Sequence, residues 1–211
     1  MNIRNINHKF AGTLRKRTRT DFIVLHHSAG NDASAETIHG WHLDRKWFGI
    51  GYHFVIRQSG AIETGRPIDT VGSHAGATAN GNSIAICLLG NFDVIKPNAA
   101  QINSLIWLIK EHIYPKYGKL PLTAHKEYMS TSCPGRNFPM EQVKQLVAEN
   151  DSTLLINGRK VAAKVVNKNN RLLIEVPGED GMVLVRAREL AAALGGTISW
   201  NAATKTASMR I

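Results

Sequence analysis

Two short runs, Phe22-Ile23-Val24-Leu25 and Ser83-Ile84-Ala85-Ile86-Cys87-Leu88-Leu89, are apolar almost without interruption. A strand with one wet face alternates apolar and polar residues; these do not, so they read as strands buried in a sheet. Helical patterns lie around them. Asn31-Asp32-Ala33-Ser34 supplies turn chemistry and an N-cap at Ser34, predicting a helix to about Trp47 with Ile38 and Trp41 on its inner face. From Ala99 to Tyr114, Ile102, Leu105, Ile106 and Ile109 fall at helical spacing, Trp107 and Leu108 widen the stripe, and Pro115 is expected to stop it. Pro139 opens a closing helix to Glu149 that turns Val143, Leu146 and Val147 inward. Helices packed on a buried sheet define an α/β domain.

Between these elements, Tyr52-His53-Phe54-Val55-Ile56 is rich in β-formers, and Gln58-Ser59-Gly60-Ala61 is a turn into Ile62-Glu63. Val71 to Asn82 reads as small-residue loop. The cluster Arg15-Lys16-Arg17-Thr18-Arg19 is expected to be a solvated lead-in to the first buried strand.

The texture changes at Asn150-Asp151-Ser152-Thr153. Leu154-Leu155-Ile156, the turn Asn157-Gly158 and the segment Lys160 to Val166 predict a hairpin. Strands follow at 172–176 and 182–185, then a helix from Arg188 to Leu194 closed by Gly195-Gly196. A last pair of strands flanks Asn201-Ala202-Ala203. This gives a domain over residues 1–149 and a small α+β domain of short strands and one helix over 154–211.

Length and charge set limits. The 211 residues hold no apolar run long enough to cross a membrane. The N-terminus lacks the apolar core of a signal peptide, which predicts synthesis in the cytoplasm without a leader. The net charge of +10, divided as +6 over residues 1–149 and +4 over 150–211, favours an anionic partner. Nucleic acid is not expected, because the basic residues carry no interleaved aromatics and no known motif. With Cys87 and Cys133 the only cysteines, no disulfide framework organises the fold. Cys87, between Ile86 and Leu88, is expected in the core.

The chemistry collects at two places. His26-His27 ends the first buried strand, and His125 and Cys133 lie eight positions apart in the run Thr123 to Gly135. Two imidazoles and one thiolate form a three-ligand set of the kind that holds catalytic zinc and leaves a fourth position open. Such a site suits amide hydrolysis, although the His-Glu-x-x-His helix of common zinc proteases is absent. Tyr52, after the Gly49-Ile50-Gly51 clearance, is a candidate oxyanion donor, and Thr131 lies two residues before Cys133.

Leu25-His26-His27-Ser28, Gly49 to Ile56, Val71-Gly72-Ser73-His74 and His125 with Thr131-Ser132-Cys133-Pro134-Gly135 occur in that order. Over about residues 20–149 the chain resembles the type 2 N-acetylmuramoyl-L-alanine amidases, which share a fold with phage amidase lysozymes and animal peptidoglycan recognition proteins. The resemblance implies a central mixed β-sheet flanked by helices. It implies zinc on His26, His125 and Cys133, a catalytic tyrosine at Tyr52, and a second catalytic position at Thr131 where some members carry lysine. His74 and Asn91 match positions lining the family's cleft. The implied reaction is hydrolysis of the amide joining N-acetylmuramic acid to L-alanine in bacterial peptidoglycan. A phage endolysin that reaches the wall by a holin-type route is the leading expectation; a peptidoglycan receptor that binds without cutting is the alternative. Members that keep the cysteine tend to be hydrolytic.

The remaining candidates read as structural: His27 and His53 as core or supporting imidazoles, His39 and His42 as surface or half-buried packing, and Trp41 and Trp47 as core rather than sugar platforms. The tail is similar to the small stalk-like domain at the N-terminus of copper amine oxidases. It contains no His, Cys or Tyr, so no copper site follows. Its expected role is wall targeting, through anionic polymers, or homo-oligomerisation.

Overall fold

The computed structural model describes residues 1–148, 152–156, 159–168, 171–178, 181–201 and 206–210. Contacts divide the chain into two units, Met1–Val147 and Ala148–Ile211. In the first, β1 (Ile3–Arg4), β2 (Phe22–His27), α1 (Ala35–Asp44), β3 (Phe54–Ile56), β4 (Ile62–Thr64), α2 (Ala77–Asn80) and β5 (Ser83–Leu88) follow in order. Then come α3 (Ala99–Trp107), a π-helical segment (Leu108–Ile113), α4 (Tyr114–Tyr117), β6 (Leu122–Ala124) and α5 (Met140–Ala148). The sheet order is β1-β4-β3-β5-β2-β6. Strands β3, β5, β2 and β6 are mutually parallel, β4 is antiparallel to β3, and β1 is parallel to β4. The mixed sheet with helices on both faces is as expected.

Because strand side chains alternate, each central strand feeds two cores. Ile23, Leu25, Ile84, Ile86, Leu88, Phe54 and Ile56 meet Leu105, Leu108, Ile109 and Ile113 on one face, joined by Val143 and Val147 of α5. On the other face Val55 and Cys87 pack with Ala35, Ile38 and Ile50, and Val24 packs with Ala75 and Ala79. Cys87 is a buried free thiol in that second core. Helix α1 starts as its sequence suggests, with the Ser34 hydroxyl oxygen accepting Thr37 N–H. Its first turn also meets a carboxylate from the sheet: Glu63 Oε2 accepts Ala35 N–H at 2.7 Å, placing negative charge at the positive end of the helix.

Four expectations need correction. Trp41 does not face inward; it is 51 % exposed. The buried stripe of α1 is Ala35, Ile38, His39 and His42, spaced by three and four, and Trp41 falls beside it. Trp47 is likewise 47 % exposed rather than core. The long helix does not stop at Pro115 but continues to Tyr117 and ends at Gly118, whose φ of +76° suits glycine. Proline lacks an N–H and crowds the carbonyl four residues back; the wider π turns just before it accommodate both defects.

The basic lead-in is also not simply solvated. Ile3 and Arg4 extend the sheet, and Lys16 bridges to Thr70. Arg17 is half-buried and donates to the carbonyls of Ile68, Thr70 and Ser83 at 2.7 to 3.0 Å. A guanidinium offers five N–H groups in a fixed fork, so one side chain ties the loop at 68–70 to the start of β5.

The second unit is a six-stranded sheet of order β10-β9-β8-β7-β12-β11. Its strands are β7 (Ser152–Ile156), β8 (Arg159–Lys168), β9 (Arg171–Gly178), β10 (Gly181–Arg186), β11 (Thr197–Asn201) and β12 (Thr206–Arg210), with α6 (Ala187–Ala193) between β10 and β11. The pairing of Ile156 with Arg159 is the anticipated hairpin, and β7 is parallel only to β12. Helix α6 closes at Gly195 (φ +70°). The predicted turns Asn157-Gly158 and Ala202-Ala203, and the boundary residues Asn150 and Asp151, lie outside the described residues.

Candidate metal centre

Register explains how two histidines distant in sequence meet. Leu25 on β2 pairs with Ala124 on the neighbouring parallel strand β6, so the next residues, His26 within β2 and His125 just past the end of β6, stand side by side. Their ring centroids are 4.5 Å apart. His27, one step on, faces the opposite side, where its Nδ1 accepts Phe92 N–H at 3.0 Å. The doublet therefore provides one candidate ligand and one structural imidazole, because adjacent residues of a strand cannot share a face.

Cys133 arrives on a loop anchored at several points. Asp93 takes the Ser132 hydroxyl at 2.6 Å and Arg136 N–H at 3.0 Å, while Asn137 N–H binds the Phe92 carbonyl. Gly135, at φ +99°, lies against the Phe92 backbone where a Cβ would collide. Cys133 Sγ then lies 3.7 Å from His26 Nδ1 and receives His27 N–H at 3.4 Å.

His26, His125 and Cys133 each offer one ligand atom, all within 4.8 Å of one another. Among the described residues this is the group of three or more such side chains with metal-binding spacing. The donor set fits zinc. The 3.7 Å separation is near the roughly 3.6 Å that tetrahedral Zn–N and Zn–S bonds produce. His125 Nε2 is buried with no hydrogen-bond partner, a cost that coordination through that nitrogen would remove. Burial, then the neighbouring His125, holds His26 well below the usual imidazole range, so it is a neutral donor. Burial pushes the Cys133 thiol up to about 11, against the pull of the His27 amide, so its thiolate calls for a cation beside it.

Tyr52 reaches the same place, its ring centroid 5.0 Å from that of His26. Its phenol is held well above the usual tyrosine range, first by burial and then by Cys87 and Cys133, and stays protonated at neutral pH. The backbone before it is held by two histidines whose role the sequence did not disclose. His39 Nδ1 accepts Ile50 N–H at 3.2 Å and His42 Nδ1 accepts Gly51 N–H at 3.3 Å, and both rings are buried. Gly51 must be glycine, since a Cβ there would run into the Ser73 carbonyl. The i, i+3 spacing of these histidines was visible; the backbone they would hold was not.

Thr131 is exposed at the loop's edge, and its hydroxyl oxygen accepts Cys133 N–H at 3.2 Å. That bond leaves the hydroxyl proton free to donate. His74 lies at 3.0 Å from His26 through its Nδ1, and Asn91 turns its carbonyl oxygen onto Asp93 N–H at 3.1 Å. His53 is fully buried and structural: Nδ1 accepts Ala85 N–H, so Nε2 donates to the Thr70 carbonyl. Ser83 and Asp93 were not singled out by sequence, since neither belongs to a local pattern.

A mixed sheet whose parallel strands end in a buried His-His-Cys cluster, beside a protonated tyrosine, is the frame of an amide hydrolase. Residues 16–136 match the family model described as N-acetylmuramoyl-L-alanine amidase, and the chain belongs to that family. Its activity is that of an N-acetylmuramoyl-L-alanine amidase. The endolysin of Klebsiella phage KP32 is 36 % identical over 127 residues, 56 % of this chain and 83 % of the relative. Peptidoglycan-recognition protein SC2 of Drosophila melanogaster is 32 % identical over 134 residues, 56 % of this chain and 69 % of the relative. Among solved structures, the N-acetylmuramoyl-L-alanine amidase LysC from Clostridium intestinale URNW is 37 % identical with a TM-score of 0.67, covering 71 % of this chain and 99 % of that one. The family match ends at residue 136 and does not reach the second unit.

Proposed function

We propose that this amidase is a zinc enzyme of the phage endolysin type, cutting the amide between the lactyl group of N-acetylmuramic acid and L-alanine of the stem peptide. The reading rests on the convergence of His26, His125 and Cys133, with His125 Nε2 otherwise unpartnered. Zinc held there would supply a Lewis acid that polarises a carbonyl and acidifies a coordinated water. The protein's own groups do the rest. Tyr52, protonated at neutral pH, donates to the scissile carbonyl oxygen as negative charge develops on it. Thr131, its oxygen fixed by Cys133 N–H, directs its proton to substrate or nucleophile. A threonine brings no charge, so it orients without the electrostatic help of the lysine found in other members.

Peptidoglycan is the substrate, and no described helix is long and apolar enough to cross a membrane. We assign the second unit to wall attachment through anionic polymers or to self-association, on the strength of the +4 sequence charge over residues 150–211. Access to the wall would follow release from the cytoplasm by a holin-type route.

Incubation with purified walls tests the chemistry. New amino termini on alanine, without new reducing sugar ends, are expected, together with about one zinc per chain in the active protein. New reducing ends, or full turnover in protein freed of metal, would overturn it. Wall sedimentation in rising salt tests the second unit: binding that persists unchanged in about 1 M salt, where charges are screened within about 3 Å, would rule out attachment by charge.

A further inference from the structure

His26 can act as a ligand through Nδ1 only if that nitrogen carries no hydrogen. Free imidazole exchanges between two tautomers, so something must decide which nitrogen is bare. The hydrogen bonds behind His26 decide it, and they can be read inward from a backbone carbonyl.

Ser83 opens β5 and is fully buried. Its Oγ lies 2.6 Å from the Ala79 carbonyl oxygen. A carbonyl can only accept, so the hydroxyl proton is committed to it. The same Oγ lies 3.2 Å from His74 Nε2. With its proton spent, Oγ can only accept there, so His74 Nε2 bears the hydrogen. In a neutral ring that leaves Nδ1 as a bare acceptor, 3.0 Å from His26 Nε2. His26 Nε2 must therefore donate. The free lone pair of His26 is then on Nδ1, the atom facing Cys133 Sγ at 3.7 Å.

We propose that His74 is a positioning residue which, backed by Ser83 and the Ala79 carbonyl, locks His26 in the Nε2–H tautomer so that Nδ1 is presented to the metal. The proposal rests on the reading of His26, His125 and Cys133 as zinc ligands. It also changes the part expected of His74 from its place in the sequence. Both of its ring nitrogens are taken up within the protein, one on His26 and one on Ser83, and neither remains for a hydrogen bond to substrate. The segment supports this arrangement: Asn80 Oδ1 accepts the N–H groups of both His74 and Ala75, at 2.8 and 2.9 Å, fixing the backbone that carries the ring.

The test compares ring nitrogen-15 shifts of the metal-free protein with zinc affinity measured by competition against a chelator. The parent is expected to show His26 as the Nε2–H tautomer before any metal is added. In His74→Leu the tautomers should mix and the zinc dissociation constant should rise about 10- to 100-fold, as for other groups that orient a ligand from behind. His74→Asn places an amide oxygen where Nδ1 stood, and it should recover most of the affinity. Ser83→Ala should move the same spectrum and affinity in the direction of His74→Leu, by less. The proposal is overturned by a His26 that carries its hydrogen on Nδ1 in the metal-free parent. It is also overturned by a folded His74→Leu that binds zinc as tightly as the parent. Should His74→Leu fail to fold, the spectra of the parent and of Ser83→Ala are sufficient to uphold or overturn the tautomer. A parent that takes up no zinc refutes the metal reading, while the metal-free spectrum still upholds or overturns the tautomer.

Discussion

The two faces of the central sheet are built from the same strands and do different work. Toward α3 and α5 the strands present Ile23, Leu25, Ile84, Ile86 and Leu88 to an apolar helical face. Toward α1 and α2 the same strands present His26 and Cys87 among smaller residues, and buried His53, His39 and His42 take up backbone N–H groups nearby. Register keeps the two apart: His26 turns to the chemical side and His27 to the other. One face supplies stability chiefly through apolar packing. The other gives His26, His39, His42, His53 and His74 specific partners and leaves His125 Nε2 without one, which fixes geometry at the cost of a stricter requirement on those residues.

If that division holds, substitutions on the chemical face should remove activity with modest loss of stability. The largest effect is expected from Cys133→Ala, which removes the thiolate ligand. Turnover should fall by about 10³-fold or more, on the order of 4 kcal/mol in the barrier, with zinc content lost in parallel. Metal analysis and wall digestion of the same sample check both halves. Next comes Tyr52→Phe, which leaves the ring and removes the donor. Here kcat should drop about 10²- to 10³-fold while zinc content stays at the parent level. Full activity in Tyr52→Phe would exclude the phenol as oxyanion donor.

The opposite face should behave the other way round. Leu105 is fully buried against the sheet, and Leu105→Ala removes that packing without touching any residue of the cluster. Unfolding in urea should show a loss of about 3 kcal/mol, within the usual range for such cavities. The zinc-loaded folded fraction should keep the parent's kcat. A large fall in kcat there would show that the faces are coupled and that packing on one side sets geometry on the other.

The strands and most helices were legible because continuous apolar runs and capped helical stripes are local signals, as at Phe22–Leu25 and at Ser34. Three of the site's residues were legible as donors from residue type alone, and Tyr52 from the glycines before it. What stayed hidden depends on contacts that no local pattern encodes. Trp41 reads as an inward residue until His39 and His42 are known to be buried, and imidazoles are too ambivalent to reveal that in sequence. Arg17 sits in a run of exposed cations, and only the carbonyls of Ile68, Thr70 and Ser83 set it apart. Pro115 signals a helix end, yet the π turns before it let the helix pass. The Ser83 and Asp93 contacts join residues far from the ligands they support, so they emerge only from the folded chain.

The smallest expected effect concerns the buried imidazoles that support the chemical face from behind. His53 has its pKa lowered from 6.5 to about 3, chiefly by burial, and its two ring nitrogens are committed to Ala85 N–H and the Thr70 carbonyl. In the unfolded chain it takes up a proton near its ordinary value; in the folded protein it does so only in strong acid. Between those values the unfolded state binds more protons, so stability must fall as pH falls. Above about pH 7 both states hold a neutral ring and the contribution vanishes. From pH 7 to pH 5 this one group should remove about 2 kcal/mol. His42, lowered to about 4 by burial, adds in the same direction. Urea unfolding of the parent and of His53→Gln across this range separates the contributions. The variant should be less stable at neutral pH, having lost two buried hydrogen bonds, and its stability should depend less on pH. Equal slopes in the two proteins would mean that His53 titrates normally in the folded state, and that the chemical face is wetter than its packing indicates.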